Sequence, residues 1–539
     1  MKRMLAIALA ALLVFSLTAC GGTIEKADTP VASAATGAAG ETAQPKQVVL
    51  GVSMGATTMD PAHEYEWDAE MMLHSVYPTL VTSDYADESK ILPCVASEWV
   101  ISDDGLTYTF TLNQGIQFTT GKELKASDVA FSLNRLKGAA GNSSFLLSSV
   151  ESVEATGDYE VTVTLSEPNP ALLNILTRAS AGVYDAEVAQ ANGATCDSSD
   201  AGQAYFDTTS IGCGPYMISS FNSGSELVLV KNPDSYFPAG NVDTYIIRNI
   251  ADSATQQMEL EGGDLDFALD LTADQTALLE GNENIKLVSF DTMDIFFLGL
   301  NASEEYGKEL ANPTVREAIR YAIDYPGLCA LAGNGATTPA GIIPKGFLGY
   351  AGETTITRDV EKAKALLTEA GYPDGITFSM GVIPDMAPDG VSFMTLAQKV
   401  QADLAEAGIT VNIEPQEVAV YLEGYRDGKQ QSVMCHWGPD YNDSNNQLAF
   451  LPGNTVGLRL GWTAEMDPEL AELGQKASVE TDSDKRAELF TEIQKQMDEK
   501  NAPAVVLLQP GKTWAVSSRL KNLTVSAAFC FDFVSLDVQ

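Results

Sequence analysis

An amphipathic helix that stops at a glycine and passes straight into an alternating strand recurs through this chain, and that order leaves few folds open. Phe393, Leu396, Ala397, Val400, Leu404 and Ala407 share one helical face, Gly408 ends it, and Ile409, Val411 and Ile413 alternate immediately afterwards. A helix beginning at Asp359 sets Val360, Ala363, Leu366, Leu367 and Ala370 on one side and stops at Gly371, with Pro373 just beyond. The same order runs from 258 to 269 through Gly262-Gly263, and Leu489, Phe490, Ile493 and Met497 precede a strand over 505–508. Thr314-Val315-Arg316-Glu317 reads as a capping box after Pro313, with Val315, Ala318, Ile319 and Ala322 as the buried stripe. Each unit must lay one apolar stripe on a sheet, so α/β layers are predicted.

The first third reads differently. Val48-Val49-Leu50-Gly51-Val52 is a short apolar run predicted as a buried strand, and Thr58-Met59-Asp60-Pro61 breaks it. Ser102-Asp103-Asp104-Gly105 then turns the chain into Leu106-Thr107-Tyr108-Thr109-Phe110-Thr111-Leu112, whose strict alternation marks a half-buried hairpin strand. Val161-Thr162-Val163-Thr164-Leu165 alternates likewise and extends this sheet-rich region.

Ahead of all this, Lys2 and Arg3 precede an apolar run over 4–15 and the sequence Leu17-Thr18-Ala19-Cys20, which is the pattern of a lipoprotein signal. The run is too short to span a bilayer, so residues 1–19 are expected to be cleaved and Cys20 to be lipidated. Residues 20–47 are dominated by Gly, Ala, Thr, Ser and Pro and read as a flexible tether. No later stretch holds 18 apolar residues in a row, so lipid is the expected membrane attachment. The remaining chain, roughly 490 residues, is enough for two to four domains.

Composition excludes several classes of function. With 73 acidic against 32 basic side chains the formal net charge is −41, a surface that repels nucleic acid and anionic headgroups. Cys94, Cys196, Cys213, Cys329, Cys435 and Cys530 contain no C-x-x-C pair, and their pairing is open. His63, His74 and His436 form no H-E-x-x-H, so no metal site or cofactor is expected. Gly51-Val52-Ser53-Met54-Gly55 matches a nucleophile elbow literally, but a Pro break follows where the elbow needs a helix. A calcium loop starting at Asp440 fails at Asn445 and Leu451, where the turn glycine and the bidentate acid belong.

The order of several segments resembles the large extracellular solute-binding family that serves oligopeptide and dipeptide ABC importers. They are 99–121 with Gly115-Ile116-Gln117-Phe118, Ala126-Ser127-Asp128-Val129, Gly212-Cys213-Gly214-Pro215-Tyr216, Glu261-Gly262-Gly263-Asp264-Leu265-Asp266, Val315-Arg316-Glu317-Ala318-Ile319, 359–373 and Trp437-Gly438-Pro439-Asp440-Tyr441. The resemblance implies a two-lobed α/β fold of the type II periplasmic-binding-protein kind, with an extra sheet-rich subdomain and a hinged cleft. Lobe I would take 48–83, 205–292 and 510–539, the subdomain 84–204, and lobe II 293–509. It also implies a monomeric, non-enzymatic binding subunit outside the membrane that captures peptides and hands them to permease subunits. Asp440 occupies the family position for a peptide's free α-amino group, with Trp437 and Tyr441 as apolar walls. Tyr65, Glu66 and Trp67, after the Asp60-Pro61 turn, are further candidates for the cleft, and His436 is a candidate for its floor. A non-peptide solute such as an oligosaccharide or metal chelate, or a peptide-sensing role without transport, would use the same architecture.

Overall fold

The computed structural model describes residues 46–527 and 530–539; the expected leader, Cys20 and nearly all of the expected tether lie outside the described residues. The first described strand, Gln47–Val52, sits inside a seven-stranded mixed sheet. It pairs in parallel with Thr244–Asn249 on one side and Phe267–Ala268 on the other. The sheet continues antiparallel through Glu226–Lys231 to Tyr216–Asn222 at one edge, and through Gly511–Ser517 to Ile285–Asp291 at the other. Helix Ser253–Gly262 links two of the parallel strands, capped by the Asp252 carboxylate and closed by Gly263 in the left-handed region. Val48, Leu50 and Val52 are fully buried with Tyr245, Ile247 and Phe267.

A second, five-stranded sheet runs in the order Ile409–Pro415, Ile376–Val382, Ser432–Trp437, Ile295–Leu300, Ala504–Leu508. Ile295–Leu300 is buried at every position, because both faces of the sheet are covered. Phe296, Leu298 and Leu300 pack with Val315, Ile319 and Leu396, which lie on helices Pro313–Ala322 and Phe393–Glu406. Phe297 faces the other way, onto Phe450, Phe490 and Ile493. Gly299 is required here, since a Cβ would meet Leu460 at 2.6 Å and Val433 at 2.7 Å. Burying an aromatic such as Phe297 contributes about 1.5–3 kcal/mol.

One local expectation is corrected. Helix Pro313–Ala322 is capped by Asn312, whose side chain accepts from the Thr314 amide, and not by a Thr314–Glu317 box. Pro313 at the first helical position moves the start one residue ahead of the expected cap.

The sheet-rich region forms a four-stranded antiparallel sheet, Ala96–Ile101, Thr107–Leu112, Glu160–Leu165 and Val150–Gly157, on which helix Ala126–Gly138 packs. Its hairpin turns at Gly105 (φ +71°), with the Asp104 carboxylate accepting from Ser102 Oγ and the Leu106 amide. Cys94, Cys196, Cys213, Cys329 and Cys435 are free thiols.

The chain passes from the larger sheet to the five-stranded one between Asp291 and Ile295, and returns between Leu508 and Gly511. The two crossings are stitched together. Thr292 donates its amide (3.2 Å) and Oγ1 (2.9 Å) to the Pro510 carbonyl, and Gln509 Nε2 donates to the Thr292 carbonyl (2.6 Å).

Candidate functional site

Beside those crossings lies a cavity of about 370 Å³, walled by residues of both sheets and of the sheet-rich region. Its position follows from how the chain after the first strand is held. Thr58 Oγ1 and the Met59 amide both donate to Asp207, and the Asp60 carboxylate receives Arg135 Nη1 and Nη2 at 2.8 and 2.6 Å. The Glu64 carbonyl accepts from Ser143 Oγ, and Asp68 accepts the Gly55 and Ala56 amides. With its backbone fixed on both sides, this segment presents Tyr65 and Trp67, 44% and 45% exposed, to the cavity.

From the opposite side, strand Ser432–Trp437 delivers the segment 436–442. Gly438 permits a close approach, as a Cβ there would meet Asp294 Oδ1 at 2.8 Å. Asp440 follows, with Oδ1 accepting the Tyr65 hydroxyl at 2.6 Å and Oδ2 accepting Asn446 Nδ2 at 3.1 Å. Burial, and after it the Asp440 carboxylate, pushes the Tyr65 phenol well above its usual range, so Tyr65 stays a donor. Tyr441 lines the cavity, and burial raises its phenol likewise. Further polar contacts span the same gap: Asn174 Nδ2 to Asp443 at 3.3 Å, Asn442 Nδ2 to Glu88 at 3.0 Å, and Lys512 to Asp389 at 3.4 Å.

Four of the sequence candidates therefore meet at the cavity, Tyr65 and Trp67 from one side and Asp440 and Tyr441 from the other. Two are placed elsewhere. Glu66 lies beside Gly55 and does not line the cavity. Trp437 stacks edge-on against Phe450, and its Nε1 donates to Asn446 Oδ1 at 2.8 Å. Since Asn446 in turn donates to Asp440, Trp437 orients the carboxylate from behind.

Sequence reasoning missed Arg178, Asp294, Asp389, Lys512 and Trp514, all of which line the cavity. Lys512 and Trp514 share one face of strand Gly511–Ser517, and the Lys512 ammonium lies 5.0 Å from the Trp67 ring centroid. Burial and then the Asp389 carboxylate hold Asp294 well above the ordinary aspartate range, with Lys512 opposing. Asp389 adopts φ +51° in the turn Pro388–Gly390, and its Oδ2 is buried without a hydrogen bond. His436, at the floor, packs between Phe296 and Phe393, and burial lowers its pKa against the pull of Asp389. A signal for Arg178 existed: it is the only Lys or Arg between Lys137 and Lys231.

Two other chemistries find no support in the geometry. The Ser53 amide donates to Asp270 at 2.6 Å, and no helix begins until Trp67, so the nucleophile-elbow geometry is absent. Asp60, His63 and Asp200 converge, but Arg135 bonds both carboxylates and already supplies the cation.

Comparison with known proteins agrees with this architecture. The family model described as bacterial extracellular solute-binding proteins, family 5 middle, matches residues 90–457. The glutathione-binding protein GsiB of Escherichia coli O1:K1 / APEC is 30% identical over 373 residues, covering 68% of this chain and 69% of that one. HbpA2 from Haemophilus parasuis superposes with a TM-score of 0.79 at 24% identity, over 92% of this chain and 100% of that one. The periplasmic binding protein DppA from Helicobacter pylori, solved with the peptide STSA, gives 0.73 at 25% identity, over 91% and 98%. The fold is the two-lobed type II periplasmic-binding-protein fold.

Proposed function

The chain belongs to the family 5 extracellular solute-binding proteins, the substrate-binding proteins of peptide ABC importers, and on that premise we propose that it captures short peptides in the cavity beside Asp440. The observation that carries this reading is the Asp440 carboxylate, set by Tyr65 and Asn446 on an aromatic wall where an ammonium can replace one neutral donor. A charge-assisted bond of this kind contributes about 1.5–3 kcal/mol. Trp67, Tyr441 and Trp514 supply apolar wall on which peptide stems can lie.

In this reading lobe I comprises 48–83, 205–292 and 510–539, with 84–204 as its subdomain, and lobe II comprises 293–509. The crossings at 291–295 and 508–511 act as the hinge. Closing the lobes excludes water and strengthens each polar contact inside. At about 370 Å³ the cavity lies toward the small end of ligand pockets, which span about 300–1,000 Å³, and so favours short ligands. Glutathione, the ligand named for relatives in Escherichia coli, is a tripeptide with a free amine and belongs among the first to be titrated. Lipid on Cys20 would hold the monomeric protein outside the membrane, where permease subunits collect the ligand.

The test is calorimetric titration of one short peptide and its N-acetyl form against the native protein and Asp440→Ala. Loss of roughly tenfold or more in affinity is expected from either change alone, and little further loss from both. An Asp440→Ala isotherm superimposable on the native one would remove the amine role.

A further inference from the structure

We propose that the open face of Trp67 selects the first side chain of the ligand, favouring large apolar or aromatic groups over small or basic ones. The proposal rests on the peptide reading given above and deepens it, from capture of a free amine to a preference for the residue that carries it.

Of the Phe, Tyr and Trp residues that line the cavity, only Tyr65 and Trp67 are exposed; Trp514 is fully buried and packs on Phe290, with ring centroids 4.7 Å apart. Tyr65 is already engaged. Its hydroxyl donates to Asp440, and its ring meets Phe145 edge to face at 6.3 Å. Trp67 is thus the large apolar surface left to a ligand, and covering it returns the free energy that an exposed indole forfeits.

The neighbours of this ring fix its position before any ligand arrives. Trp67 opens helix Trp67–Leu73, in which every later residue is buried, and the Asp68 carboxylate ties the helix start to the Gly55 and Ala56 amides. Glu66 is extended (φ −73°, ψ 140°), so Tyr65 and Trp67 project to the same side while Glu66 turns toward Gly55. Lys512 reaches over the ring from strand Gly511–Ser517 with its ammonium 5.0 Å from the centroid, and Asp389 holds that ammonium at 3.4 Å. One face of the indole is therefore taken by a cation, and its exposed area belongs to the other.

That asymmetry sets the chemistry of the open face. The Lys512 ammonium already engages the ring quadrupole, and a second cation on the far side would face the first through the ring. An aliphatic side chain meets no such repulsion, and an aromatic one gains from ring packing in addition to burial.

Tyr65 sets the register of the ligand. An amine at Asp440 sits against the Tyr65 hydroxyl, and Trp67 follows two residues on along the same side, a step of about 6.5 Å in extended chain. The group that falls on Trp67 is the side chain of the residue bearing the amine.

The test is calorimetric titration of the dipeptides Phe-Ala, Ala-Ala, Lys-Ala and Ala-Phe against the native protein, Trp67→Ala, Trp67→Phe and Lys512→Met. The native protein should bind Phe-Ala on the order of tenfold more tightly than Ala-Ala or Lys-Ala. Trp67→Ala should bring Phe-Ala level with Ala-Ala yet still discriminate against N-acetyl Ala-Ala, and Trp67→Phe should keep part of the preference. A ring with a structural role alone would instead weaken all four dipeptides by the same factor in Trp67→Ala, which would overturn the assignment. Lys512→Met should raise Lys-Ala relative to Ala-Ala, and an unchanged ratio would overturn the exclusion of cations. Equal native affinity for Phe-Ala and Ala-Ala would overturn the Trp67 assignment while leaving the peptide reading intact, and this arm needs no variant to fold. A native preference for Ala-Phe over Phe-Ala would overturn the register. A native protein that binds no dipeptide but takes up another solute would overturn the peptide reading itself.

Discussion

Replacing Arg135 with methionine should unfold much of what positions the cleft. Arg135 is wholly buried and bridges two carboxylates that are themselves buried. Its Nη1 and Nη2 bond Asp60 at 2.8 and 2.6 Å, while Nε and Nη2 bond Asp200 at 2.6 and 2.9 Å; the guanidinium also lies 4.7 Å from the Phe206 ring centroid. Methionine preserves most of the volume, so the loss is electrostatic. Asp60 would keep the Ala62 amide as a side-chain partner, whereas Asp200 would keep the Thr195 and Gly202 amides and His63. Breaking a buried pair from one side costs about 3–5 kcal/mol, and Asp60, the poorer in donors, should carry most of it. Urea unfolding of the native protein and of Arg135→Met measures the difference as a shift in midpoint. Adding Asp60→Asn and Asp200→Asn to Arg135→Met should recover a large part, because no charge is then stranded. A loss below about 1 kcal/mol for Arg135→Met, or no recovery in the triple variant, would refute this reasoning.

Three further outcomes are expected. Glu64 keeps its proton in the fold at pH values where the unfolded chain has lost it, so native stability falls as pH rises from the ordinary glutamate range through the raised value. Glu64→Gln should flatten that fall and melt higher than the native protein at neutral pH, and a lower melting temperature there would contradict the assignment. Gly214→Ala forces a Cβ to 2.2 Å from the Ser75 carbonyl oxygen, so a loss of about 1–3 kcal/mol in urea unfolding is expected; an unchanged midpoint would contradict it. Tyr65→Phe removes a donor to Asp440 and should weaken binding of a free-amine peptide by less than Asp440→Ala does, which parallel titrations would check.

The layers were legible in the sequence because they are local. Stripes such as Val315, Ala318, Ile319 and Ala322, or the alternation over 106–112, state their own period and burial within a few residues. The cap at Asn312 was misjudged because Thr314 also fits the pattern, and only Pro313 at the first helical position decides between them. The motif at 437–441 drew attention to Asp440, but Trp437 could not be seen to turn toward Asn446 and Phe450, since that depends on packing across the second sheet. The cavity itself is a long-range object: Tyr65 and Asp440 are 375 positions apart. Arg178 carried a charge signal, yet nothing local says that a lone arginine in an apolar stretch faces a cavity and not a buried acid.

The central claim, capture of short peptides, is tested most directly by mass spectrometry of the protein beginning near Gln44. It is sprayed first under native conditions to detect retained ligand, then under denaturing conditions to identify it. A set of short-peptide masses released on denaturation is the expected result. A single sugar or metal-chelate mass would contradict the account and take the amine role from Asp440.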